Sequence, residues 1–472
     1  MQCNLDFLEI GNTFPPATEA WRLKQYQDMR TLFKGHTERV INGYWGRFNG
    51  GDKTQNVKFI ELNYFKLLAS KTADLVCGEK PDVKLPDDIN KNDEQILNKI
   101  TTNINKRIRR AVIDFVRYGD CIIRPYLAEV VLNKEPKVSI LNPSMFVAVV
   151  DPEDLSEYKH QVIGYHDTDE SGQSILVLQI HNRGSYVERI HKTKAIECSM
   201  PVDGVRCKYI GYEIGKLISE DTKLTGITDF AIKHIANEPT SDCIYGISDF
   251  EAIASIVADL EVRFAQRDII LDKHAAPSIA APESNFTYSE KQDGEIVGVQ
   301  KGLKLGDAWV MDENGIPRYV TWDGQLAAVE RDIADKMQQL FILSEQGAVL
   351  DDSQKGGTQG YEALQVRMVN ARLKARRIVE EIDPVYRQLI AEMYKLETGK
   401  DLKIDITVTW NDGLPNDAKR DAEVAVTLAN NNILSRKTIR QEYHGMSEKQ
   451  AELEQEQIDT EQPATFATNI FE

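Results

Sequence analysis

The chain has 472 residues, 42% hydrophobic and 28% charged, which is ordinary globular composition with room for about three domains' worth of core. Its 57 Lys and Arg against 74 Asp and Glu leave a net charge of −17, which excludes a general nucleic-acid clamp built on phosphate neutralisation and leaves DNA contact open only where sliding matters more than holding. Six scattered cysteines fit reduced thiols and not a disulfide framework, no apolar run reaches the about 18 residues of a membrane span, and "MQCNLDFLEIGNTFPP" carries no secretory signal, so a soluble intracellular product is expected.

The first quarter reads as helical. Trp21, Tyr26, Met29, Leu32 and Phe33 fit one helix ending near Gly35. A second runs through "NVKFIELNYFKLLASKTADLVCGEKP" and stops at Gly78, with Pro81 just beyond. Ile96, Ile100, Ile104, Ile108, Val112 and Phe115 mark a third, closed by Gly119. After "YGD" short β-rich runs take over: "CIIRPYLAEVVL", "KVSILN", "FVAVVD", "QVIGYHDT", "SILVLQIHN", "YVERIHK" and "CKYIGYEIG". Their order predicts an antiparallel α+β region, not a βαβ alternation.

"SDFE" at 248–251 has the form of a capping box, in which Ser248 accepts from the Glu251 N–H and the Glu251 carboxylate reaches back to the Ser248 N–H. The helix it opens carries Phe250, Ile253, Val257, Leu260 and Phe264 on to about Lys273, with Pro277 and Pro282 closing it. Residues 283–324 read as a compact insert with strand and turn signals. A helix returns at Leu326, with Val329, Ile333, Met337, Leu340 and Leu343 as its apolar face. Then "SEQGAVLDDSQKGGTQGYEAL" brings four glycines, two adjacent aspartates and one lysine, the composition of a mobile loop. A very long helical pattern follows from near Tyr361 to about Glu397, kinked at Pro384, with Asp383 capping its second half. The strand-like "KIDITVTWNDGLP" leads into helical "DAKRDAEVAVTLANNN" and "SRKTIRQEYHG", and a Glu/Gln-rich tail is expected to end in disorder.

The search for chemistry mostly fails. In "QKGGTQG" Lys355 precedes the glycines and a helix precedes the loop, so a phosphate-binding nest is not specified. His181 and His191 with Cys198 and Cys207 lack the short paired spacings of a tetrahedral zinc site, and strand-borne histidines explain them better. Asp351 and Asp352 sit on the least rigid segment, where no catalytic separation is held. Lys106, Arg107, Arg109 and Arg110 form the densest basic patch, a solvated or subunit-facing surface. The run Arg372, Lys374, Arg376 and Arg377 is followed by Glu380 and Glu381, which favours intrahelical or intersubunit ion pairs at least as much as DNA contact.

The order of elements, with several local motifs, resembles the portal proteins of tailed bacteriophages, the long-tailed siphophage kind in particular. "LNYFKLLASKTADLVCGEKPDV" is similar to that family's Asn-rich helix ending in a Gly-x-Pro turn, and "RYGDCIIRPYL" to its helix-Gly-Asp-strand step. "LNPSMFVAVVDPED", "YGISDFEAIASIVADLE" and "NNILSRKTIRQEYHG" resemble its Pro-containing strand pair, the start of its stem helix and its C-terminal helix pair.

The resemblance implies an α+β portal-type fold: helix-rich, with long stem helices, an antiparallel β-containing wing, a small β-rich clip and a helical crown. It divides the chain into wing 1–246, stem 247–273, clip 274–324, stem 325–344, tunnel loop 345–360, wing 361–415, crown 416–459 and a disordered tail 460–472. It implies a ring of about twelve subunits at one capsid vertex, assembled in the host cytoplasm and carried in the virion. Duplex DNA would pass through it, terminase and a head-completion adaptor would dock on it, and major capsid and scaffolding proteins would surround it. On this reading Asp351, Asp352, Ser353, Gln354, Lys355, Gly356, Gly357, Thr358 and Gln359 line the channel, and Trp309, Glu313, Arg318 and Tyr319 bind partners on the clip. No catalytic residue, cofactor, metal or membrane is implied. The rivals are a nucleic-acid phosphoesterase using Asp351, Asp352 and histidines, and a low-order structural head adaptor.

Overall fold

Two asparagines open the second and third helices described below. In the computed structural model Asn63 accepts from the Lys66 N–H at the start of α2 (Tyr64–Cys77), and Asn90 from the Asp93 N–H at the start of α3 (Lys91–Tyr118). The structure describes residues 2–41, 60–86, 89–130, 133–202, 205–275, 278–282, 289–292, 295–299, 308–311, 314–320, 326–347, 366, 368–404, 406–410, 418–431, 433–444, 446 and 448–461. The Asn63 cap explains why α2 does not begin at Asn56, as its apolar pattern suggests.

Helix α1 (Ala20–Phe33) buries Tyr26, Met29 and Leu32, and α3 buries Ile100, Ile104, Ile108, Val112 and Phe115. Both pack into one large core with α2, with α4 (Asp249–Ala275), with α5 (Leu326–Leu343) and with α6 (Val369–Thr398). Gly119 ends α3 at φ +81, a left-handed conformation that favours glycine.

The strand pairs among the described residues are antiparallel with one exception. Strands β5 (Phe146–Val150), β6 (Tyr158–Thr168), β7 (Ser174–Asn182), β8 (Ser185–Lys192) and β11 (Leu217–Leu224) form one sheet in the order β11-β8-β7-β6-β5. Alternation along β5 sorts its side chains to two cores. Val147 and Val149 meet Phe7, Leu8 and Phe14, while Phe146, Ala148 and Val150 meet Ile232, Ile244 and Tyr245. A second sheet, β1-β10-β9, joins Thr13–Phe14 to Val205–Glu213 and Ala195–Val202. A third, β12-β3-β4, joins Lys233–Ala236 to Asp120–Val130 and Asn133–Leu141.

Helices α4 and α5 lie antiparallel, as their ion pairs show: Arg263 meets Asp332 at 2.7 Å, and one turn earlier along α4 Asp259 meets Lys336 at 3.2 Å. Between them the insert forms a small sheet, with Ser278–Pro282 (β13) central, parallel to Ala308–Met311 (β16) and antiparallel to Arg318–Val320 (β17). A hairpin of Ser289–Gln292 (β14) and Glu295–Val299 (β15) accompanies it. Pro282, expected as a helix stop, therefore ends a strand. Helix α6 runs through Pro384 and closes at Gly399. Asp383 does not cap its second half, because its carboxylate accepts from Arg387 Nε and Trp410 Nε1, both at 2.7 Å. Those bonds hold the strand β18 (Thr407–Thr409), which pairs with β2 (Asp82–Lys84), against the helix.

Three helices follow: α7 (Ala418–Asn430), α8 (Arg436–His444) and α9 (Glu448–Glu461). Helix α9 occupies much of what composition reads as tail. Thr460 and Glu461 are its last turn, so the expected disorder does not begin at 460; residues 462–472 lie outside the described residues.

Candidate functional site

Two clusters of polar side chains fix how α4 and α5 meet the rest of the molecule. The first surrounds the "GD" step after α3. Asp120 accepts from His234 Nε2 at 2.6 Å and from the Gly246 N–H at 2.9 Å, and the Tyr26 hydroxyl donates to its other oxygen. His234 Nδ1 accepts from Tyr158 at 2.7 Å. Burial, reinforced by the Asp120 charge, pushes the hydroxyls of Tyr26 and Tyr158 well above their usual range, so both stay protonated donors. The Asp–His–Tyr row therefore ends in a half-buried phenol that keeps its proton and not in an activated nucleophile. Arg22 closes the cluster from α1: it pairs with Glu19 at 2.8 Å, donates to the Phe146 carbonyl at 2.8 Å and lies 4.0 Å from the Tyr245 ring centre.

Here the chain between β12 and α4 crosses the end of α3 at backbone distance. A β-carbon on Gly246 would stand 2.1 Å from the Gly119 carbonyl oxygen, and one on Gly119 2.6 Å from the Ile247 carbonyl carbon. The capping box expected at Ser248 forms only in part. The Ser248 hydroxyl donates to the Arg117 carbonyl at 2.6 Å and accepts from the Phe250 N–H at 3.2 Å, while Glu251 faces Gln25. Ser248 thus ties α4 to α3 as well as opening its own helix.

The second cluster holds residues 344–346, directly after α5. Lys374 Nζ lies 2.6 Å from Asp249 and donates to the Ser344 carbonyl at 3.2 Å. Arg377 pairs with Glu345, and the buried Gln346 amide donates to Thr72 of α2. Glu345 has φ +57, a conformation that favours glycine. A cleft of about 420 Å³ opens beside these groups, lined by Ile247, Asp249, Leu343, Lys374 and Arg377 among others. Of the intrahelical or intersubunit pairs expected for this run, none joins Arg376 or Arg377 to Glu380 or Glu381 among the described residues. Two of the four cations in that run, Lys374 and Arg377, instead hold residues 344 and 345.

The nine residues Asp351–Gln359, read as channel lining, lie outside the described residues, as does Glu313. Trp309 and Arg318 flank one strand: both register on Ala280, Trp309 from the parallel side and Arg318 from the antiparallel side. Tyr319 registers on Ile279, and Arg318 is exposed.

His181, His191, Cys198 and Cys207 are not brought together. The histidines stand in β7 and β8, opposite Tyr186 and Leu176, and the cysteines in the separate β9–β10 pair. Burial pushes the His181 imidazole down to about 3. His36, Glu38 and Glu61 do place ligand atoms within 4.8 Å of one another. Arg39 stands 3.3 Å from Glu38, however, so one of the two carboxylates is already engaged by a cation of the chain. No helix among the described residues is long and apolar enough to cross a membrane.

The family described as "Phage portal protein, SPP1 Gp6-like" matches residues 17–183 and 338–464, more than half of the chain. The chain belongs to that family of portal proteins, which are structural components of phage particles and not enzymes. Among solved structures, a chain in "Virion of native gene transfer agent (GTA) particle" is similar at 12% identity and a TM-score of 0.41, over 92% of this chain and 96% of that one. No curated protein sequence matches.

Proposed function

We propose that the chain forms a ring of about twelve copies at a capsid vertex, through which double-stranded DNA is packaged and later ejected. In this reading 1–246 and 361–415 are the wing, α4 and α5 the stem, 274–324 the clip, 345–360 the tunnel loop and 416–459 the crown. The observation that carries it is the clamp on residues 344–346. Lys374 and Arg377 of α6 and Thr72 of α2 hold residues 344–346, the root of the glycine-rich segment, and this anchoring supports a reading in which DNA passage would not disturb the helices.

The acidic chain suits passage. About 6–10 phosphate contacts already make a strong, salt-sensitive grip on a duplex. A ring repeats each residue once per subunit, so Lys355 alone would supply a full circle of cations. Terminase and the head-completion adaptor would dock on the clip, with Trp309, Glu313, Arg318 and Tyr319 as candidate contacts. Major capsid and scaffolding proteins would embed the ring, and the chain itself would hydrolyse neither ATP nor DNA.

The test is in vitro packaging into proheads carrying variant rings. Gly356→Pro and Gly357→Pro should allow rings and terminase docking but impair packaging, because proline fixes φ and removes a backbone donor. Lys355→Ala should alter salt-dependent DNA retention more than assembly. Wild-type packaging with both glycines replaced would reject the channel loop. ATPase or nuclease activity that co-purifies with the ring and is lost in Asp351→Asn would favour the enzyme instead.

A further inference from the structure

His36 stands between two carboxylates and is hydrogen-bonded to neither. Its Nδ1 lies 4.0 Å from a Glu38 oxygen and 3.8 Å from a Glu61 oxygen, and the three ligand atoms all fall within 4.8 Å of one another. Those separations are too long for hydrogen bonds. They are close to what a shared ion requires. A point equidistant from the corners of such a triangle, with sides of about 4–5 Å, is about 2.3–2.5 Å from each, and zinc binds imidazole nitrogen and carboxylate oxygen at about 2.0–2.2 Å. Each ligand would have to move inward by only a few tenths of an ångström.

The two parts of the chain that carry these ligands are tied to one another from behind. Thr37, between His36 and Glu38, donates its hydroxyl at 3.2 Å to the Glu261 carboxylate of α4. The N–H of Leu62, next to Glu61, donates to the same oxygen at 3.0 Å. Glu261 is only 2% exposed and Thr37 is fully buried, so this tie sits inside the fold while the three ligands stand at its surface. One residue further on, the Asn63 side chain donates to the Phe33 carbonyl at 3.2 Å and joins the end of α1 to the start of α2. The spacing between residues 36–38 and residue 61 is thus set by three helices. Ligands held by buried groups in this way lose less freedom when an ion arrives.

We propose that His36, Glu38 and Glu61 bind a divalent metal ion of the zinc class. The donor set selects the ion: calcium and magnesium favour sites built of oxygen alone, whereas an imidazole with carboxylates suits zinc. Local charge favours a cation as well, with two carboxylates facing the single guanidinium of Arg39. That side chain is 67% exposed, and an ion pair so open to solvent is weakly held, so a divalent ion displaces it from Glu38 at little cost. Coordination would join the turn after α1 to the residues before α2 and close the chain between residues 38 and 61 into a loop. The site is independent of the ring reading.

The test is calorimetric titration of the full chain, first dialysed against a chelator, with zinc chloride and then with calcium chloride. One zinc ion per chain should bind, at least about tenfold more tightly than calcium. His36→Ala and Glu61→Gln should each weaken zinc binding at least about tenfold, with circular dichroism unchanged because both side chains reach the surface. Arg39→Gln should tighten it, since the competing cation is gone. Absence of saturable zinc binding would overturn the site. So would zinc binding that His36→Ala and Glu61→Gln both leave unchanged, because the ion would then lie elsewhere. Calcium held as tightly as zinc would equally rule out a site in which the imidazole is a ligand.

Discussion

Lys374 and Asp249 are joined at 2.6 Å inside the fold, with only 8% of Lys374 exposed. Asp249 is the first residue of α4 and Lys374 lies in the first turns of α6, so this pair fastens α4 to α6. Because Lys374 also donates to the Ser344 carbonyl, it fixes the end of α5 with the same ammonium. One buried cation therefore sets the relative position of three helices.

Breaking the pair should cost more than replacing it. Lys374→Met leaves Asp249 charged and buried, and removing one partner of such a pair costs about 3–5 kcal/mol. Adding Asp249→Asn, which can still accept from a donor, should recover a large part of that loss. Urea denaturation of wild type, both singles and the double measures the cycle. A double variant no more stable than Lys374→Met would show that the pair contributes little beyond packing.

This clamp is where sequence reading stops being informative. Helix α3 was legible because six apolar residues recur at helical spacing, and β5 because a five-residue apolar run is bounded by turn residues. The Lys374–Asp249 contact leaves no local pattern, since its partners are far apart in the chain and each looks like an ordinary charged residue on a helix. Three elements were missed for compositional reasons. Strand β9 reads "AIECSMPV", with a proline and weak alternation; β11 reads "LISEDTKL" and is exposed along most of its length as a sheet edge. Helix α9 buries little beyond Ala451 and is held by Lys437–Glu452 and Arg440–Gln455 contacts from α8, so its Glu/Gln composition reads as tail.

Glu345 should tolerate glycine better than alanine. At φ +57 a side chain costs about 1 kcal/mol that glycine does not pay. Both substitutions remove the contact with Arg377, so their difference isolates the backbone. Glu345→Gly is expected to be the more stable of the two by about 1 kcal/mol in chemical denaturation. Equal stability would mean that the left-handed turn relaxes in the variants.

Stability should depend on pH through two groups of opposite sense. The folded chain keeps His181 neutral down to about 3, chiefly by burial, whereas an unfolded imidazole takes its proton near ~6.5. Between those values the unfolded chain binds the extra proton, so stability is lost as pH falls. His181→Gln should flatten that acid limb in denaturation curves taken from pH 7 to 4.

Asp114 acts the other way. Burial pushes its carboxyl up to about 6 despite Arg117 and Arg110, against ~3.9 when unfolded. The folded chain then binds more protons, so this contribution is present below about pH 4 and is lost as pH rises through 6. Asp114→Asn keeps an acceptor for Arg117 and should be the more stable chain above pH 6, with the advantage vanishing toward pH 4. An advantage independent of pH would assign the effect to something other than titration.

The glycine crossing makes the sharpest prediction. Gly246 and Gly119 sit back to back where the segment before α4 passes the end of α3, and the Asn237 and Ile247 amides bond across the same point at 2.7 and 2.9 Å. A methyl on Gly246 would meet a backbone oxygen, which no rotamer change can move aside. Relief requires the two chains to separate, and that would stretch the Gly246 N–H from Asp120 and the Ser248 hydroxyl from Arg117. Gly246→Ala should therefore cost about 3 kcal/mol or more, above the ordinary range for a single substitution. Ser248→Ala, which removes one hydroxyl without a clash, should cost about 1 kcal/mol. If the crossing positions α4 as well as stabilising the fold, hydrogen exchange in Gly246→Ala should rise first at the start of α4 and the end of α3, with the β5–β8 sheet still protected. Uniform loss of protection across the molecule would show that the crossing belongs to the global core and is no separate joint.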